Sequence, residues 1–306
     1  MQNKSPSPSA LNPAGLANLA VVYLVWSSTY LAIRIAVREG AGFPPFTMGL
    51  MRAALGGALL ILWAYLQKQR VRITRREMLV LFASGTLLWM LGNGLVAFAE
   101  QRTASGLAAL LLAATPIWTA LIEAIWDRKL PSPRLFAALV IGFLGIVVLT
   151  LPSLTSGIHA DVIAILLLQI ASVAWSAGSV YQARNQLSLT PRVSSGYQML
   201  FGAIGFALMM VLTNEPAPTP NQEAWLAWLY LVIFGTLAFT AYVTALKLLP
   251  TRIVMTYAYI NPVLAMLLGY FILHEQITTY TLVGSALVLL GVAGVFRDRH
   301  SHAPKQ

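Results

Sequence analysis

Cysteine is absent from the 306 residues, which excludes disulfides, thiolate metal sites and cysteine nucleophiles together. Charge is almost as scarce: Asp, Glu, Lys and Arg make up 10% of the chain, against about 25% in an ordinary soluble domain. The four histidines, at 159, 274, 300 and 302, fall in loops or the tail, and the sequence has no G-x-S-x-G or H-E-x-x-H pattern. An enzyme working inside a membrane needs a nucleophile with its base, or a metal cluster, at depth. Neither is offered, so no catalytic residue, metal or cofactor is expected. The absence of G-x-x-x-x-G-K-[ST] removes an ATP-driven engine as well.

What the chain has in excess is apolar surface, at 58% hydrophobic residues and a mean hydropathy of +0.73. A soluble monomer is excluded. Apolar runs between charged or Pro/Gly punctuation predict helices at 16–37, 45–66, 77–99, 104–124, 134–151, 161–183, 193–213, 224–246, 253–273 and 279–297. Barrel strands need only about ten alternating residues, so runs near 20 predict an all-α membrane protein with ten transmembrane helices. The polar stretch 1–15 reads as a tail, and the run after it, too long for a signal peptide and without a small-residue cleavage site, as a retained first span.

The net charge of +10 reports orientation rather than nucleic-acid binding, because the cations sit between apolar runs instead of on one soluble face. Of the 20 Lys and Arg, all but Arg34, Arg38, Arg52 and Arg102 fall on the side of the N-terminus. Cationic loops stay cytoplasmic, which predicts both termini inside. Trp225 and Trp228 at one end, with Trp63, Tyr65 and Trp126 at the other, fit interfacial belts. Trp26, Trp89, Trp118 and Trp175 fall too deep in their spans for that role.

The halves echo each other. Trp26-Ser27 recurs as Trp175-Ser176, 149 positions on, while Thr115-Pro116 recurs as Asn261-Pro262 and Leu144-Gly145 as Leu290-Gly291, both 146 on. Five spans per half require the second copy to enter from the other side, giving two inverted five-helix repeats, 16–151 and 161–297, around a central cavity. Residues 298–306 complete the chain as a second tail.

The stretch Trp26-Ser27-Ser28-Thr29-Tyr30-Leu31-Ala32-Ile33-Arg34 resembles the first-helix signature of the drug/metabolite transporter superfamily, EamA type, with Ser27 where glycine is usual. PFTMGLMR, from Pro45 to Arg52, is similar to the family's second-helix arginine segment. The run from Ala104 through Thr115-Pro116 to Leu121 is similar to its fourth helix, and Gly235-Thr236 through Asn261-Pro262 to Gly291-Val292 echoes the second half. Where the family commonly has Gly-Glu before the last helix of each half, this chain has Asp127-Arg128 and His274-Glu275, and no function is assigned there. The resemblance implies a bacterial inner-membrane exporter of amino acids or related metabolites. The deep aromatics make the chain similar, within that family, to YddG-type exporters of aromatic and other neutral amino acids. The partners implied are a small-molecule substrate and the lipid bilayer.

Polar groups at membrane depth are costly and therefore informative. Trp26, Asn93, Trp118, Trp175, Tyr257 and Asn261 combine apolar bodies with hydrogen-bonding tips, as a pocket for a small zwitterion requires, with packing between helices the plainer alternative for each aromatic. Asn93, between Gly92 and Gly94, and Gln169 also read as interhelical glue. Tyr257 and Asn261 share a helix face, and Tyr259 points elsewhere. Arg52 lies about 10 Å into its span at 1.5 Å per residue, facing a substrate carboxylate or a structural partner. For Arg34 a structural ion pair with Glu100 or Glu39 is expected. Pro116 and Pro262 free the carbonyls of Leu112 and Ala258, either as hinges beside the ligand or as kinks capped by Thr115 and Asn261. Glu100 and Glu123 are the acidic residues nearest to membrane depth, both close to span ends, so the expectation leans to downhill passage or exchange, with proton antiport left open. A channel would need a polar pore ring, and none is visible. The small residues Gly284, Ala286, Gly291 and Gly294 in the last span pack either internally or between protomers.

Overall fold

The computed structural model describes residues 12–128, 132–155 and 159–301. All regular structure among them is helical: α1 (Pro13–Ala36), α2 (Pro45–Leu66), α3 (Arg75–Glu100), α4 (Ser105–Trp126), α5 (Pro133–Thr155), α6 (His159–Arg184), α7 (Pro191–Leu212), α8 (Gln222–Leu248), α9 (Tyr257–Leu273) and α10 (Thr279–Ser301). Seven of these, α1 to α4 and α6 to α8, are long and apolar enough to cross a membrane, and shorter apolar stretches lie at 133–149, 261–273 and 279–291. The tails fall largely outside the described residues, as do Lys4, Lys129 and Lys305 and the side chains of Arg252, Arg297 and Arg299.

Helix starts follow local chemistry. Asn12 accepts from the Ala14 and Gly15 amides at 3.0 and 3.2 Å, with Pro13 at the first helical position. Thr74 and Glu77 form a reciprocal capping box on α3, and Thr190 and Asn221 cap α7 and α8. Large apolar side chains cover the outside of the bundle as well as its core, and small polar ones are enclosed. Leu24, Val211 and Phe271 are about 70% exposed, while Ser27, Ser172, Ser176, Ser179, Ser195 and Gln198 are enclosed. Lipid tails accept outward leucines without cost, so the interior is organised by small residues and hydrogen bonds. Thus Ser176 Oγ donates to Thr115 O at 3.0 Å, and Gln198 Nε2 donates to Ser84 Oγ at 2.8 Å.

Helix α1 packs on α8 and α9, α6 on α3 and α4, α4 on α9, α2 on α7, and α5 on α10. The α5–α10 contact brings backbones together: a Cβ added at Gly291 would stand 2.6 Å from Gly142 Cα, and one at Gly145 2.6 Å from Val288 N. Gly284, Gly291 and Gly294 therefore pack within the chain, and Ala286 is exposed. The basic end is tied by Arg184 to Asp127 (2.6 and 2.9 Å), Lys247 to Leu189 O (2.9 Å) and Tyr197 to Val71 O (2.8 Å).

The opposite end carries two contacts absent from the sequence reading. Glu215 accepts from Phe46 N, Thr47 N and Thr47 Oγ1 at 2.7–2.8 Å, and Glu275 accepts from Ser105 N, Ser105 Oγ and Gly106 N at 2.8–3.1 Å. Each carboxylate sits on the positive end of a helix from the other half of the chain. Two expectations are corrected. Trp228 is no interfacial anchor but is 9% exposed and packed on Phe43, whereas Trp63, Tyr65, Trp126 and Trp225 are outward. Arg34 donates not to a carboxylate but to the backbone carbonyl of Glu100.

Candidate functional site: a cavity between the halves

A cavity of about 80 Å³ lies among α1, α2, α3, α4, α6, α8 and α9. At about 10–15 Å³ per water centre it holds on the order of six waters, the scale of one small metabolite. Trp26, Arg52, Asn93, Trp175 and Tyr257 all line it. Two residues expected with them do not. Trp118 Nε1 donates to Gln169 Oε1 at 3.1 Å and its ring stands against Phe143, while Gln169 Nε2 donates to Leu111 O at 3.2 Å. This pair joins α4 to α6 away from the cavity. Asn261 is 1% exposed, with Oδ1 3.2 Å from Ser27 Oγ, and ties α9 to α1 without capping Ala258.

Trp26 is the hub of the aromatic wall. Its ring centroid is 5.3 Å from Trp175, 5.1 Å from Tyr257 and 4.8 Å from Tyr242. The first two contacts are edge to face, at 81° and 87°, the favoured quadrupole arrangement. Tyr242 is fixed in turn by its hydroxyl, 2.6 Å from Ser179 Oγ. The side chain of Tyr259 falls outside the described residues.

Local departures from α-helical geometry surround the cavity. Residues Thr86–Asn93 of α3 and Leu231–Gly235 of α8 run in π-helical register, which frees carbonyls and re-aims side chains. Asn93 Nδ2 donates to Leu88 O five residues back at 3.1 Å, so its amide serves the widened turn, and among the described residues it has no hydrogen bond to a second helix. Trp89 and Gly235 also line the cavity. Their part was missed, and the signal available was Trp89's depth in its span.

Helix α4 breaks at Ala113–Ala114, and Pro116 then occupies the first turn of the next segment, where no amide is needed. Thr115 Oγ1 takes up the Leu112 carbonyl at 2.6 Å. On the α9 side the discontinuity is at Met255–Thr256, between a short turn Thr251–Val254 and α9, and the helix continues through Pro262.

Arg52 is 5% exposed, yet makes no hydrogen bond or ion pair among the described residues, and its Nε is enclosed without an acceptor. Its guanidinium carbon lies 5.0 Å from the Trp89 ring centroid. Gly235 makes room for it: a Cβ there would stand 2.8 Å from Arg52 Nη2. The cavity thus presents one fixed cation, an aromatic wall and an amide.

An apolar helical bundle with seven helices long enough to cross a membrane, enclosing a small cavity, is the architecture of a polytopic membrane protein. The sequence pattern of the EamA-like transporter family matches residues 13–151 and again 162–297, and the chain belongs to that family. It is 31% identical over 253 residues to "Uncharacterized inner membrane transporter YedA" of Escherichia coli K12, covering 82% of this chain and 80% of that one. An "Uncharacterized transporter" of Archaeoglobus fulgidus is 26% identical over 289 residues, 90% and 94% of the two chains. A crystal structure at 23% identity superposes with a TM-score of 0.65 over 92% of this chain and 96% of that one, a likeness of fold.

Proposed function

We propose that the protein is a secondary transporter of the inner membrane that exports small metabolites by alternating access, aromatic and other neutral amino acids first among them. In this reading ten helices cross the bilayer, both termini are cytoplasmic, and residues 16–151 and 161–297 are inverted repeats. The helix pairings support it: shifting each helix by five turns α1–α8 into α6–α3 and α1–α9 into α6–α4, and maps α2–α7, α4–α9 and α5–α10 onto themselves. An inverted repeat produces this pattern, with its binding site between the halves.

The observation that carries the substrate reading is the cavity wall: a buried guanidinium without a hydrogen-bond or ion-pair partner among the described residues, sharing one cavity with Trp26, Trp175 and Tyr257. A carboxylate takes the guanidinium by bidentate hydrogen bonds, and an apolar or aromatic body fills the rest. The hinges are the discontinuities at Ala113–Ala114 and Met255–Thr256, each within a few residues of a cavity-lining side chain. Counterflow of labelled amino acids in proteoliposomes of the purified chain, with and without a pH gradient, tests the proposal. Saturable counterflow of aromatic and neutral amino acids is expected. Its absence with folded protein overturns the amino-acid assignment.

A further inference from the structure

The cavity is electrically unbalanced. Arg52 is the one fixed charge among its lining residues, and no Asp or Glu lines it. Among the described residues, Glu215 and Glu275 hold the starts of α2 and α4, while Glu100, buried beside Arg34 and near the lining residue Tyr30, does not itself line the cavity. Among the described residues no carboxylate forms an ion pair with Arg52. A guanidinium buried without a counter-charge is stabilised most by a ligand that brings a net negative charge.

A zwitterion does this incompletely. Its ammonium is attached to the same carbon as the carboxylate, so docking the carboxylate on Arg52 places a second cation beside the first. Three N–H donors then require acceptors where no carboxylate lines the cavity. Aromatic faces can carry a cation, but Trp26, Trp175 and Tyr257 already pack edge against face. Asn93 Oδ1 remains as a neutral acceptor.

We infer that the cavity selects organic monoanions, a carboxylate on an apolar or aromatic body without an amino group, ahead of zwitterions of the same shape. This rests on the proposed transport site and departs from the amino-acid assignment, placing amino-free acids ahead of amino acids. Gly235 and Trp89 are the positioning residues: one leaves space for the guanidinium, the other supports its face.

The test is tryptophan fluorescence of the purified full chain, since Trp26, Trp89 and Trp175 line the site, titrated with 3-phenylpropionate, L-phenylalanine, 3-phenylpropionamide and phenethylamine. 3-Phenylpropionate is expected to bind at least about tenfold more tightly than phenylalanine, a difference of about 1.4 kcal/mol, and the amide and amine more weakly still. Arg52→Gln should erase the difference between acid and amide, and Arg52→Lys should keep part of it. If Arg52→Gln does not fold, the four-ligand order on the unaltered protein decides alone. Phenylalanine binding as tightly as 3-phenylpropionate overturns the inference and leaves the amino-acid reading standing. Tight binding of the acid without amino-acid counterflow supports the inference and overturns that reading. Failure of all four ligands to bind folded protein overturns the inference.

Discussion

Trp26 shows how one side chain is both wall and scaffold. With three aromatic neighbours at 4.8–5.3 Å, truncation to alanine removes packing as well as a binding face, and aromatic-to-alanine changes in a core cost about 3–5 kcal/mol. Trp26→Ala is therefore expected to lower thermal stability markedly, which defeats its use as a transport probe. Trp26→Phe should keep the fold and weaken substrate binding by roughly tenfold, the value of about one aromatic contact. A melting curve beside a counterflow titration separates the effects; equal affinity in Trp26→Phe would make the ring a packing residue only. Gly235→Ala separates them in the other direction. Alanine favours helix by up to about 1 kcal/mol, but its Cβ would lie 2.8 Å from Arg52 Nη2. The variant should melt no lower than the parent while KM rises about tenfold. Unchanged KM would remove Arg52 from the site.

At the scale of elements, the carboxylates of Glu215 and Glu275 act as clips. Each crosses from a loop of the C-terminal half to the first amides of a helix in the N-terminal half, 168–170 positions away in sequence. Charge-assisted bonds of this kind are worth roughly 1.5–3 kcal/mol, and only a conformation that keeps this end together retains them. Glu275→Gln and Glu215→Gln should each lower the melting temperature and open this end. Because the chain has no native cysteine, a single Ala104→Cys reports the change: faster maleimide labelling in Glu275→Gln is expected, and an unchanged rate would reduce the clip to local capping. In sequence Glu275 stands out only as the family's acidic position before the last helix and Glu215 not at all, since a loop glutamate carries no mark of the helix start it reaches. Helix extents were legible because apolar runs are bounded by charge: 45–66 matches Pro45–Leu66, and 224–246 falls within Gln222–Leu248. The direction in which a tryptophan faces was not. Helices apolar on all sides give no period separating lipid-facing from protein-facing positions, which is why Trp228 reads as an anchor and is buried. Likewise, five of seven expected cavity residues converge, while Trp118 and Asn261, polar-tipped and deep, serve helix contacts.

For the whole molecule, orientation decides which end the clips close. The loop 67–74, with Lys68, Arg70 and Arg72, and the loop 185–190, flanked by Arg184 and Arg192, meet at one end, joined by Thr190 Oγ1 to Gln69 Oε1 at 2.8 Å, while 37–44 and 213–221 meet at the other, joined by Asn221 N to Ala41 O at 2.9 Å. Lys and Arg near span ends resist translocation, so the orientation we propose puts the first pair of loops in the cytoplasm and the Glu215 and Glu275 clips at the outer face. A ten-span chain then has both termini inside. Fluorescent-protein fusions at the C-terminus should fluoresce and phosphatase fusions there stay inactive, whereas phosphatase inserted at 216–220 should be active. Active phosphatase at the C-terminus would give an odd number of crossings, break the five-helix correspondence between the halves, and remove the inverted-repeat basis for placing the substrate site between them. The same fusions in a chain with Arg70, Arg72, Arg75 and Arg76 changed to glutamine test the cause. A mixed population of orientations is expected if these cations hold the chain inside, and an unchanged pattern would assign that role to the remaining basic loops.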